Sequence, residues 1–232
     1  MSTDGFFIDD YFGENFYKKL PLGYHSHFSF GQIFRTHAYY PHENLQLWRP
    51  IPDPNEPTKT MASAFQIVAA GQDAFRRTIP LAAPKLETNE EFIVVRAKVR
   101  PVLLVVPELP PLGVQEQGYR GKIQRRRCLV AQIFGLADTK TGVAEFSPTF
   151  VDRVRKMEFP ELMFLPHNTG PLSVDSLLRL DELQSVFTPH LEPTQYSLGD
   201  EAIAVLRGQV QSLMSRQGPS RYTELRELLM NG

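Results

Sequence analysis

The chain has 232 residues, of which 42% are apolar and 22% charged, and its formal net charge is −1. That length suits one large domain or one domain with a sizeable insertion, and the near-zero charge excludes a protein drawn to nucleic acid by its overall field. A single cysteine, Cys128, excludes an intramolecular disulfide, and a chain of this size folds without disulfides or metal.

The opening residues are acidic and aromatic. They lack the basic start and apolar core of a signal peptide, so cytoplasm is the expected location. No apolar run approaches the ~20 residues that cross a bilayer, and no membrane partner is expected. A short helix is predicted from Glu14 to Leu20, stopped by Pro21, and a strand from Phe28 to Ala38. Residues 41–60 hold Pro41, Pro50, Pro52, Pro54 and Pro57. Proline fixes φ and removes a donor, so 41–60 is read as a loop and not a sheet centre, and 41–90 as loop-rich with two or three short strands, one of them at Phe65 to Ala70.

From Glu91 onward the pattern sharpens. Phe92 to Lys98 is strand-like, and Val99 to Val106 is an apolar run suited to a buried strand, ended by Pro107. After a Pro/Gly/Gln loop, Arg127 to Gly135 gives another strand. Ser147 followed by Pro148 is an N-cap with proline at the first helical position, which starts a helix over 148–157. Leu162 to Leu165 and Ser176 to Phe187 follow as strands, the second with a kink. Ser197 is read as the N-cap of a longer helix with Asp200 and Glu201 in its first turn and Ile203, Leu206, Val210 and Leu213 on its apolar face. Ser220 caps a last helix carrying Leu225, Leu228 and Leu229. Successive short strands closed by a helix point to a small curled barrel.

Several residues stand out chemically. Arg96, Lys98, Arg100, Arg125, Arg126 and Arg127 belong to a basic stretch that fits either a phosphate-binding patch or a solvated hairpin edge. His25 and His27 alternate on one strand face, which admits a metal pair or two ordinary surface histidines. His167, in a Pro/Asn/Gly turn, is either a titrating acid/base or a polar loop residue. Trp48 reads as a packing anchor with the capacity to stack on a base, and Cys128 as a small core residue.

Five segments, in order, resemble the PemK/MazF family: Gly31-Gln32-Ile33-Phe34, Arg100-Pro101-Val102-Leu103-Leu104, Arg127 to Ile133, Leu180-Asp181-Glu182-Leu183, and Leu198 to Val210. The likeness covers roughly 96–215 plus the piece near Gly31. It implies a mainly β fold with α, an SH3-like small β-barrel with a C-terminal amphipathic helix. The division that follows is 1–95 as an N-terminal extension with the first barrel strand and a Pro-rich insertion, 96–215 as barrel core and closing helix, and 216–232 as a helical tail. The resemblance further implies a toxin with metal-independent endoribonuclease activity, no cofactor, RNA as substrate, an antitoxin partner and a homodimer.

Such a reaction needs a base for the 2′-hydroxyl, an acid for the leaving oxygen and cations for the phosphorane charge. Arg100 matches the family arginine, Asp181 the acidic residue of the Asp-Gln strand, and His167 is the further acid/base candidate. Arg96, Lys98, Arg125, Arg126, Arg127 and Thr169 would contact RNA. The family glutamine is replaced by Glu182, and the hydroxyl pair that ends the family's third strand is replaced by Ile133, Phe134 and Gly135; the nearest hydroxyls are Thr139 and Thr141. The alternatives are a catalytically degenerate barrel that binds nucleic acid or a protein partner, and an unrelated module with a similar strand pattern.

Overall fold

A computed structural model describes residues 6–40, 43–52, 55, 60–78, 86–108, 126–168 and 170–231. In chain order it contains α1 (Ile8–Phe12), a 3₁₀ turn (Gly13–Phe16), β1 (Tyr17–Lys19), β2 (Gln32–Tyr39), β3 (Gln46–Pro52), β4 (Thr60–Ala69), β5 (Ile93–Val94), β6 (Ala97–Val106) and β7 (Arg127–Gly135). Then come α2 (Pro148–Arg155), β8 (Leu162–Leu165), β9 (Ser176–Phe187), a second 3₁₀ turn (Thr188–His190), β10 (Glu192–Leu198), α3 (Asp200–Ser215) and α4 (Ser220–Asn231). The protein is mainly β with α, and its sheets are antiparallel. Among the described residues no helix is long and apolar enough to cross a membrane.

The chain divides into two compact units, one of residues 1–38 with 98–232 and one of residues 39–97. The first holds a seven-stranded sheet in the order β1-β10-β2-β6-β7-β9-β8. Its curvature follows from connectivity. From β10 to β9 is four strand spacings, about 19 Å if flat at ~4.8 Å each. The link from Phe187 to Glu192 spans five residues, at most about 17 Å fully extended, and it contains the Thr188–His190 3₁₀ turn, which shortens it. A flat sheet is therefore excluded, and the strands coil until β9 and β2 approach. Two hydrogen bonds mark that approach. Gln184 Nε2 donates to the His37 carbonyl at 3.0 Å, and Thr36 Oγ1 donates to the His190 carbonyl at 2.9 Å. The first joins strands that are not neighbours in the sheet, and the second ties β2 to the 3₁₀ turn that leads into β10; the ladder itself is not closed.

The coil encloses a small core of Phe34, Val102, Leu104, Cys128, Val130, Val186 and Leu191, with Phe28 packed at 4.7 Å against the Phe34 ring. Cys128 is buried there, and desolvation together with the nearby Glu108 carboxylate pushes its thiol up to about 11, so it is a packing residue. A larger core includes Ile33, Leu103, Ala131, Ile133 and Leu178 from the strands, with Phe16 and residues of α3 and α4.

Three elements differ from the sequence expectation, each because tertiary pairing overrides local preference. Residues 14–20 are not a helix. Tyr17 to Lys19 pairs with Leu198 to Tyr196 as an edge strand, after a helix and 3₁₀ turn that lie earlier. Ser197 is not the N-cap of α3, because it lies inside β10, paired with Lys18 and Gln32. Gly199 caps instead, and its N–H donates to the Phe16 carbonyl at 2.8 Å. A Cβ at Gly199 would fall 1.9 Å from the Asn15 carbonyl oxygen, so only glycine allows this approach. The buried face of α3 is Ala202, Val205, Leu206 and Gln209, whereas the expected Leu213 is exposed. Gln209 is tolerated inside because its Nε2 donates to the Pro160 and Leu162 carbonyls at 2.9 and 2.8 Å. In α4, Leu225 and Leu229 are buried and Leu228 is exposed.

Gly31 has φ +86, and a Cβ there would meet Ile203 at 2.8 Å, which accounts for glycine at the entry to β2. The kink expected in β9 is a bulge. Ala131 pairs with Leu183 and Gln132 with Arg179, so Leu180, Asp181 and Glu182 are extra to the ladder.

The second unit is a three-stranded sheet in the order β4-β3-β5, so Gln46–Pro52, read from its prolines as a loop and not a sheet centre, is its central strand; β5 pairs with it only at Gln46 and Leu47, ahead of Pro50 and Pro52. Leu47 is fully buried. Beside it, Glu91 has a fully buried side chain that accepts from Arg49 at 2.7 Å and forms an ion pair with Arg77 at 3.1 Å, and Arg49 also reaches Asp73 at 2.9 Å. Burial works to raise the Glu91 carboxyl, but its bonds to Arg49 and the charges of Arg49 and Arg77 outweigh it and hold the group below the usual range.

Candidate nucleic-acid site

Arg100 lies on β6, on the same side of the strand as Val102 and Leu104 by alternation. The β6–β7 register pairs Val102 with Gln132, which carries Arg100 to a place beside Phe134. Its guanidinium lies 4.6 Å from the centre of the Phe134 ring, and the Arg179 guanidinium lies 5.8 Å from the same centre. Both guanidinium groups therefore lie over the same aromatic ring, which helps to hold each planar fork in place.

A cavity of about 390 Å³ opens beside this cluster, and Arg100, Arg35 and Lys98 contribute to its wall. Ile33, Val99, Pro101 and Ile133 supply apolar wall, while Thr139, Ser173, Ser176 and Thr194 supply hydroxyl-bearing residues. Among the described residues Arg35 and Lys98 have no ion-pair partner. Three cations with interspersed hydroxyls form a concave, positively charged surface that complements a phosphodiester.

Asp181 does not meet Arg100 directly. The bulge at 180–182 turns it back on Arg179, whose Nε donates to it at 3.0 Å, while Arg179 Nη1 reaches Glu182 at 2.8 Å. The bond to Arg179, aided by its charge and opposed by desolvation, holds the Asp181 carboxyl below the ordinary carboxylate range. A carboxylate so held is a weak base, and its two-oxygen face is already occupied.

His167 lies apart from both. It follows β8, and its Nδ1 sits 2.7 Å from Asp175 Oδ1, which also accepts the His167 backbone N–H at 2.9 Å. Neighbouring Pro166 accepts a hydrogen bond from the Tyr17 hydroxyl at 3.0 Å, and burial, then the Asp175 charge, raise the Tyr17 hydroxyl well above its usual value. Residues 171–174 and Ser176 line the cavity, but His167 and Asp175 do not. Arg100, Asp181 and His167 thus do not converge on one point.

The basic residues are also dispersed. Arg96 belongs to the three-stranded unit, where it binds Glu43 at 2.6 Å and lies over the Tyr40 ring. Arg126 is 3.9 Å from Glu108, and Arg127 Nη1 is 3.5 Å from Ser185 Oγ. Arg127 begins β7 and Phe134 stands near its end, roughly 20 Å away at the rise of a strand. Among the described residues, only Lys98 of the expected RNA contacts joins Arg100 at the cavity. Arg125 and Thr169 fall outside the described residues.

Sequence reasoning missed Arg35, Ser173, Ser176, Thr194 and Arg179, and noted Thr139 only as a hydroxyl beyond the end of the strand. Arg35 was legible in principle, two positions after the buried Ile33 and so on the same strand face. The hydroxyl residues carried no signal, because strands and loops distant in sequence bring them together. His25 and His27 line a second cavity, of about 430 Å³, with Glu108 and Arg126. Among the described residues no group of three His, Cys, Asp or Glu could hold a metal ion. No protein-family model matches the chain, and no curated protein sequence matches it.

Proposed function

We propose that the protein binds RNA through its sugar-phosphate backbone at the cavity beside Arg100, as a small barrel of PemK/MazF type with a reduced cleavage apparatus. The observation that carries this reading is the clustering of Arg35, Lys98 and Arg100 around one concave, hydroxyl-lined space. Phosphate recognition favours such forks and hydroxyls over a single point charge. The strand order β10-β2-β6-β7-β9 and the coiling that its connections demand support an SH3-like barrel as the frame. Reduced cleavage follows from the engagement of Asp181 by Arg179 and from the absence of Asp181 and His167 from the described cavity lining.

A second reading is the full activity, a metal-independent endoribonuclease toxin held in check by an antitoxin. One observation favours it. Thr139 lines the same cavity as Arg100, so a hydroxyl stands near the place left open at the end of β7. The two readings separate in one experiment. Pure protein is incubated with fluorescent single-stranded RNA in excess chelator, with anisotropy reporting binding and a denaturing gel reporting chain length. Binding with intact RNA supports the first reading, and fragments lost in Arg100→Ala support the second. Absence of any binding at low salt refutes both.

A further inference from the structure

One wall of the Arg100 cavity comes from the connection between β8 and β9, where Pro171, Leu172, Ser173 and Val174 line the space. A surface connection keeps one shape only where its backbone and side chains are tied down. Here both ends are anchored to the sheet. The Asp175 carbonyl accepts the Leu136 N–H at 2.8 Å, and Val174 lies against Gly135, where an added Cβ would come within 3.0 Å of its Cγ2. At the other end the Tyr17 hydroxyl donates to the Pro166 carbonyl at 3.0 Å, and the Tyr17 ring fills the space that a Cβ on Gly170 would need.

A single carboxylate oxygen then joins the two ends. Asp175 Oδ1 accepts the His167 backbone N–H at 2.9 Å and sits 2.7 Å from His167 Nδ1. Both side chains are about half exposed, so the pair adds little to global stability. Neither residue lines the cavity, so neither touches a ligand held there. What the pair closes is the neck of the segment that carries the wall.

We infer that His167 and Asp175 are positioning residues, which clasp the β8–β9 connection and so hold residues 171–174 in place as a wall of the Arg100 cavity. The inference rests on the proposal that this cavity binds RNA. It gives His167 a role without proton transfer. Affinity depends on the clasp through population. Only chains with the connection clasped offer the complete wall, and apparent affinity falls with that fraction. One net hydrogen bond moves such a balance by roughly three- to tenfold.

Anisotropy titrations of the full chain with labelled single-stranded RNA test this at several salt concentrations, with urea titrations as a control for folding. Asp175→Asn keeps an oxygen for the His167 N–H and removes the charge, whereas Asp175→Ala removes both. The clasp predicts binding roughly three- to tenfold weaker in Asp175→Ala, not weakened in Asp175→Asn, and an unchanged salt slope in both, because no phosphate contact is lost. Hydrogen exchange without RNA should show the amides of residues 172–174 opening faster in Asp175→Ala alone. Tighter binding in both variants means that Asp175 acts only through its charge, and overturns the inference. So does Asp175→Ala that binds RNA as wild type does while Arg100→Ala binds more weakly. If Arg100→Ala also binds as wild type does, the RNA site itself is misplaced and the inference falls with it.

Discussion

Replacing Asp181 by asparagine separates a catalytic carboxylate from an electrostatic plug. In the folded chain Asp181 and Glu182 both hold Arg179, which shares the Phe134 ring with Arg100. Asp181→Asn removes one negative charge from the edge of the cation cluster and leaves Arg179 only partly neutralised. A phosphate about 7 Å away would gain roughly 0.6 kcal/mol at the dielectric of water and about 2.4 kcal/mol at an effective value of 20. The Asp181 side chain is 38% exposed, so screening favours the lower figure. Binding should therefore tighten about three- to fivefold at low salt, with the gain shrinking as salt rises. Lost pairing costs stability no more than about 1 kcal/mol, the upper end for exposed pairs. Fluorescence anisotropy with labelled single-stranded RNA at two salt concentrations provides the measurement, and a urea titration controls for folding. Weaker binding in Asp181→Asn at unchanged stability would refute the plug, and abolished cleavage with unchanged binding would restore Asp181 to a catalytic role.

The remaining expectations concern the frame. Glu91→Gln should destabilise the three-stranded unit by about 3 kcal/mol, because it strands Arg49 and Arg77 around a buried site; a denaturant titration followed by Trp48 fluorescence reads it. The same carboxyl sets a pH response. Its folded value is lowered, so its contribution is full above the unfolded carboxylate value of about 4.3 and fades as pH falls through the folded value. Acid titration should show that loss in wild type and not in Glu91→Gln. Gly199→Ala should cost about 2–3 kcal/mol in global unfolding, because the added methyl meets the Asn15 carbonyl and the backbone must shift. Gln184→Leu should cost about 1–3 kcal/mol, because the His37 carbonyl loses the donor that bridges β9 to β2.

Periodicity made the second half of the chain legible. Arg127–Gly135, Leu162–Leu165 and Ser176–Phe187 form as read, since each is apolar enough for burial to dictate its conformation. The same logic failed at Glu192–Leu198, where Thr194, Gln195 and Ser197 hide a strand that exists because β1 and β2 flank it. It also failed on α3, where Gln209 points inward because two carbonyls await its amide. Arg100 was found as part of a basic stretch and by its match to the family arginine. Its companions Arg35, Ser173 and Thr194 were not, since their proximity is a product of sheet coiling. Asp181 was noticed as the acidic residue of a strand, but its bidentate hold on Arg179 was not, because a three-residue bulge cannot be read from a strand pattern.

The most direct test sets Arg100→Ala against Arg127→Ala in one RNA-binding titration across salt concentrations. Arg100 belongs to the cavity cluster, whereas Arg127 stands at the far end of the same strand system. Arg100→Ala should weaken binding by about 1.5–3 kcal/mol, or roughly 10- to 150-fold, and reduce the salt slope by about 0.7. Arg127→Ala should leave both nearly unchanged. Equal losses from the two substitutions, or a larger loss from Arg127→Ala, would contradict a phosphate site at the Arg100 cavity.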